Sequence, residues 1–166
     1  AGLLVAHADG SCTVAVERAA AMLCLTAIHD IMKLEALLPV VCKEHAPYRG
    51  RAAGERIVDH DEALGYVLDH DGAALPCFSA LSAAQQKPIR FTQSKMGFNH
   101  GWLVQAEAPP GALFSKFKEC IETDDVHAED IAFYFVHWLT DLAGAEATPL
   151  HGAEKFVVKF PHSVLA

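Results

Sequence analysis

Apolar residues recur at helical spacing through the first part of the chain. Val14, Ala21, Leu25, Ile28, Met32 and Leu38 keep to one side of an Ala-rich stretch, and Pro39 ends the pattern. The spacing predicts a helix over 13–38, with room for a break inside so long a run. Residues 40–54 hold Pro47, Gly50 and Gly54 and read as a connection, with a short helical turn before it. Asp59 then stands where an N-cap belongs, with Glu62 three residues later as its capping-box partner, and 69–72 closes that helix. A further helix is expected over 75–86, starting near Pro76, and 87–101 is less regular.

Beyond it, 104–110 reads as a loop, and Pro109-Pro110 leads into an amphipathic helix over 111–121 with Leu113, Phe114 and Phe117 on one side. Residues 123–125 form a capping region for the most apolar helix, 126–143, closed by Gly144. Its apolar residues run almost all round, so it should be central. Residues 148–161 make a Pro-bounded loop, and Phe156, Val157, Val158 and Phe160 suit a short strand or a last turn of helix. No internal repeat is visible. The expected architecture is all-α, a compact bundle of about six to seven helices in one domain spanning 1–166.

Composition narrows the role. The 166 residues are 52% hydrophobic, enough for a well-filled core, and no apolar run approaches the roughly 18–20 residues of a membrane span. A formal charge of −8 argues against a surface built to grip long nucleic acid or an anionic membrane. The five cysteines are scattered and never form Cys-x-x-Cys. Three of them lie in apolar surroundings that suit small core residues. This pattern points to a reducing, intracellular and cytoplasmic setting without a disulfide or thiolate-zinc framework. The chain begins at Ala1 with neither an initiator methionine nor a leader-type segment, as a domain excised from something longer would. The unusual feature is ten histidines spread from His7 to His162.

One stretch concentrates the chemistry: Ala27-Ile28-His29-Asp30-Ile31-Met32-Lys33 puts a His-Asp pair inside an apolar helical pattern. Both side chains are costly to bury unless satisfied, and a metal ion satisfies both. Adjacent helical residues point about 100° apart, so the pair can bracket an ion, with the carboxylate free to bridge a second. Lys33, four residues after His29, lies on the same edge and can meet a substrate phosphate. The bland alternative is a His bonded to a backbone carbonyl beside an exposed Asp. Asp141, inside the late apolar helix, also needs a partner, and His137 lies one turn before it on the same face. A Gly-rich phosphate loop, a Gly-x-Ser-x-Gly elbow and His-Glu-x-x-His are all absent from the sequence.

Residues 27–33 resemble the signature of the HD-domain superfamily, apolar-apolar-His-Asp-Ile-Gly-Lys, with Met32 where Gly is usual. His60-Asp61-Glu62-Ala63-Leu64-Gly65 resembles that family's next segment, a His followed five residues later by Gly at a helix start. The resemblance covers roughly residues 1–145. It implies an HD-like fold and a metal set of His7, His29, Asp30, His60, His100 and Asp141. His70 and His137 are the alternatives to His100 and His7. It implies one or two divalent transition metals (Fe, Mn, Co or Zn), with Asp30 and Lys33 as the catalytic residues. The implied function is a metal-dependent phosphohydrolase that uses a metal-activated water on a nucleotide or other small phosphorylated substrate. The same ligand set also serves di-iron oxygenases that cleave C–C or C–P bonds. A regulatory, ligand-binding helical module without turnover is the third expectation.

Overall fold

The computed structural model describes residues 1–96, 115, 118–119, 121–122, 126–144 and 147–148. The protein is mostly helical. The chain, expected above to be one domain, packs as two compact units, Gly2–Lys95 and Met96–Ala166 with Ala1. No helix among the described residues is long and apolar enough to cross a membrane.

The first unit opens with something an all-α expectation does not contain. Strands β1 (Leu4–Ala6) and β2 (Cys12–Val14) form an antiparallel hairpin in which Leu4 pairs with Val14, Val5 with Thr13 and Ala6 with Cys12. The Asp9 carboxylate accepts from the Ser11 N–H at 2.9 Å and the Ser11 hydroxyl at 2.6 Å, and Gly10 takes φ +83°, so the turn is locally encoded. Helix α1 runs Val16–Ile28, shorter at both ends than the periodicity predicts. Its buried face is Ala21, Met22, Cys24, Leu25 and Ile28, and it packs on two later helices, Pro76–Ser79 and Ala83–Arg90.

After α1 the chain makes two 3₁₀ turns, Ile31–Lys33 and Glu35–Leu37, where one continuous helix was expected. Asp30 breaks the helix, with φ −99° and ψ 0°, the bridge region between helix and strand. The i, i+3 bonding of 3₁₀ turns keeps apolar side chains at nearly helical offsets, which explains why the pattern continued to Leu38. The segment from Pro39 to Val58 is irregular but anchored: Val41 and Ile57 are buried, and Val40 bridges Arg56 in antiparallel fashion.

Helix α2 (His60–His70) starts as the sequence indicates. The Asp59 side chain accepts from the N–H groups of Asp61 (3.0 Å) and Glu62 (2.9 Å), two of the donors a helix start leaves unpaired. Glu62 does not return the bond as a capping box would; its carboxylate pairs with Arg51 instead. The expected single helix over 75–86 is two: α3 (Pro76–Ser79) and α4 (Ala83–Arg90). The divide is Ser82, which forms a full capping box with Gln85. Helix α4 carries Pro88 inside and runs into a π turn, Phe91–Lys95, so most of the expected irregular stretch is helical. Leu25, Ile57, Leu64, Leu68, Phe78 and Ile89 are fully buried in this unit. Each such side chain contributes roughly 1.5–3 kcal/mol through removal from water.

In the second unit, α5 covers Ala128–Gly144, beginning two residues after the predicted start. Asp130 reaches back to accept from the His127 N–H at 3.4 Å. Asp130, Phe133, Tyr134, His137 and Trp138 form a buried stripe, whereas Ile131, Phe135 and Val136 are half-buried, so α5 is more one-sided than its sequence suggests. The expected loop over 104–110, most of the helix over 111–121, the capping residues 123–125 and the segment 156–160 lie outside the described residues.

Candidate metal centre

The first unit brings four of the sequence-selected residues together around one carboxylate. His29 is the C-cap of α1, its N–H bonded to the Leu25 carbonyl at 2.9 Å. Its ring turns back on the helix end, with Nδ1 2.8 Å from the Thr26 carbonyl oxygen. A carbonyl only accepts, so Nδ1 carries the proton in that bond and Nε2 presents its lone pair. The bond fills a carbonyl left without an intrahelical partner at the helix end, and it fixes the ring's orientation. Nε2 then stands 3.7 Å from Asp30 Oδ2.

Asp30 leaves the helix at this point, so its carboxylate swings clear of α1 toward the start of α2. There His60, the first residue of α2, places Nε2 3.8 Å from the other oxygen, Asp30 Oδ1. Each oxygen of one carboxylate therefore faces one imidazole nitrogen. Lys33 closes the third side, with Nζ donating to Asp30 Oδ2 at 2.6 Å. Burial alone would raise the Asp30 carboxyl, but the Lys33 hydrogen bond and the charges of His29, Lys33 and His60 outweigh it and hold it below the usual value. Asp30 is thus a carboxylate at any ordinary pH.

The donor set suits an ion. Metal–nitrogen and metal–oxygen bonds of about 2.1 Å let two donors on one ion lie up to ~4.2 Å apart, and both His–Asp separations fall inside that reach. Imidazole and carboxylate together favour Zn, Fe, Mn or Co over Mg. Asp59, His60 and Asp61 form a group whose ligand-type atoms lie within 4.8 Å of one another. Its carboxylates have other duties: Asp59 caps α2, and Asp61 Oδ1 accepts from Gln93 at 3.0 Å. His60 belongs to both sets, 3.7 Å from Asp61 Oδ1.

The remaining expected ligands have different fates. His7 sits exposed in the loop between β1 and β2, its Nε2 2.9 Å from the Thr13 hydroxyl. Among the described residues it joins no cluster of ligand-type side chains. His100 lies outside the described residues. Asp141 and His137 are on α5 of the second unit, Asp141 half-buried and His137 buried. His70, the alternative at the far end of α2, stacks on His45 at 3.9 Å between ring centres. Its ring also meets those of Tyr48 and Tyr66.

Two features escaped the sequence. An open cleft of about 430 Å³ adjoins the centre, with Lys33 and His60 in its wall beside Glu35 and Arg56. Arg56 and Glu35 come from irregular segments with no motif to mark them. The cysteines also differ from expectation: of the four described, only Cys24 is buried, and Cys12, Cys42 and Cys77 are exposed. Burial, reinforced by the neighbouring Cys77 thiol, pushes the Cys24 thiol up to about 12. Compared with protein-family models, curated proteins and solved structures, the chain matches none.

Proposed function

We propose that the first unit is an HD-like, metal-dependent phosphohydrolase centred on Asp30. The observation that carries this reading is the single carboxylate flanked on its two oxygens by His29 Nε2 and His60 Nε2. His29 and Asp30 are sequence neighbours at the end of α1, and the start of α2 brings His60 to them at a half-exposed surface, where no helix or core contact calls for it. As ligands, the three have a reason to meet there. The anchoring of His29 through Nδ1 to a backbone carbonyl is the arrangement that orients a ligating imidazole.

In this reading His29, Asp30 and His60 hold one or two divalent transition ions. Such an ion supplies Lewis acidity toward a phosphoryl oxygen and lowers the pKa of a bound water. Lys33, whose ammonium meets Asp30, orients and neutralises the phosphate of a nucleotide or other small ester. Neutralisation matters in a chain of net charge −8, which otherwise repels a phosphorylated substrate.

Metal analysis of protein purified without chelator, joined to thermal melts with and without EDTA, tests the proposal. A metal at 100 times its dissociation constant stabilises by about 2.7 kcal/mol, so chelation should lower Tm by several degrees. Phosphatase turnover that follows metal content supports the reading. Metal-free protein with an unchanged melt overturns it. Iron with an O₂-responsive EPR signal and no phosphatase turnover would assign the centre to oxygenase chemistry instead.

A further inference from the structure

The cleft beside the centre has a mixed lining: Met32, Leu38 and Val58 are apolar, and Lys33, His60, Glu35 and Arg56 are polar or charged. A volume of about 430 Å³ lies in the range of sites for small organic ligands. Lys33 and His60 already belong to the candidate centre, so the cleft adjoins it. Glu35 and Arg56 are the charged residues of this lining that the phosphate chemistry leaves without a task.

Arg56 is held at both its backbone and its head. Its backbone bridges Val40, and its neighbour Ile57 is fully buried with its N–H on the Pro39 carbonyl at 3.0 Å. Its head is fixed by a bond from Nη2 to the Glu35 carbonyl. That bond uses one of five guanidinium donors. Among the described residues no carboxylate pairs with it, in a chain that carries 21 acids against 13 Lys and Arg. A pre-set guanidinium with no ion pair among the described residues, in a cleft that also offers apolar lining, can receive a planar anion.

We infer that Arg56 binds a second anionic group, a carboxylate or phosphoryl, on a small phosphate ester whose compact apolar body lies against Met32, Leu38 and Val58. This rests on the reading of Asp30 and Lys33 as the phosphate end of the site. It narrows the substrate class from any phosphate ester to those with two anionic groups separated by an apolar spacer. Arg56 is a specificity residue here and takes no part in bond breaking.

Two non-hydrolysable probes that differ only in the second anion make the test: phenylphosphonate and 4-carboxyphenylphosphonate, each titrated calorimetrically into the full chain. The carboxylated probe should bind about tenfold tighter, the size of one charge-assisted hydrogen bond. Arg56→Met should erase that preference while leaving phenylphosphonate affinity unchanged. That retained affinity guards against a folding defect in the Arg56 variant, and Lys33→Met should weaken both probes alike while preserving the preference. Equal affinities in the wild type, or a preference that survives Arg56→Met, overturn the inference. Phosphatase turnover without the preference would sink this inference and leave the phosphohydrolase reading standing. An Arg56-dependent preference in a protein that holds no metal would do the reverse.

Discussion

Helix α2 carries a histidine at each end, and the two ends could hardly be more different. At its start, His60 is half-exposed and its Nε2 faces carboxylate oxygens of Asp30 and Asp61 at 3.8 and 3.7 Å. These distances are too long for hydrogen bonds and fit an intervening cation. At its end, His70 lies flat on His45, with ring centres 3.9 Å apart and planes 15° apart. His45 Nδ1 in turn lies 2.8 Å from the Tyr66 hydroxyl, which accepts from the Cys42 N–H at 2.9 Å. Under the proposed reading, one end would offer its imidazole nitrogen to a metal ion. The other satisfies its rings with neighbouring rings. A histidine is therefore better judged by what its nitrogens face than by its place in a helix.

The contrast makes predictions of decreasing size. Asp30→Ala removes the group shared by both imidazoles, so metal content should vanish and turnover should fall by roughly 100-fold or more, beyond the loss typical of groups that merely support a ligand. Metal retained in that variant would break the distinction between the two ends. Lys33→Ala should leave metal analysis unchanged and raise KM for a phosphate ester about tenfold, equivalent to ~1.4 kcal/mol. A drop in metal content instead would show that Lys33 supports the ligands and not the substrate.

Smaller effects probe the two ends separately. Asp59→Ala removes the cap of α2 beside His60 and should cost about 1 kcal/mol in urea unfolding. Tyr66→Phe should cost a similar ~1 kcal/mol, since the Cys42 N–H loses its acceptor, with metal content untouched. Metal lost on Tyr66→Phe would mean the ends act as one. The smallest effect concerns pH. Desolvation lowers the His70 pKa, His45 adds to this and Asp69 opposes it. The folded state therefore takes up the His70 proton less readily than the unfolded chain. The neutral ring's contribution is present above about pH 6.5 and is lost as pH falls below that value. An NMR titration should place His70 below the ordinary histidine range, and a normal or raised midpoint would sink the account.

What the sequence allowed was uneven, and the reasons are physical. The start of α2 was legible because an N-cap is a local device: Asp59 needs only the next three residues to act. The capping box of Ser82 and Gln85 was equally local, but the apolar pattern across it masked the divide between α3 and α4. The end of α1 was hidden for another reason. The break at Asp30 is a backbone torsion, and the 3₁₀ turns behind it preserve the apolar spacing. The hairpin stayed invisible because all six strand residues are exposed and no alternation is required of them. Asp9-Gly10 was its only signal. At the site, His29, Asp30, Lys33 and His60 were marked by motif, whereas Arg56 acquires its place only when the irregular segment before α2 folds against the 3₁₀ turn at Glu35.

Gly65 sits midway along α2, and a methyl group there would come 3.2 Å from the Ser94 hydroxyl and 3.4 Å from that of Tyr48. Helix α2 packs against the π turn that carries Ser94 and against the 3₁₀ turn that follows Asp30. The missing methyl at Gly65 therefore sets how closely the middle of α2 lies on the π turn and on Tyr48.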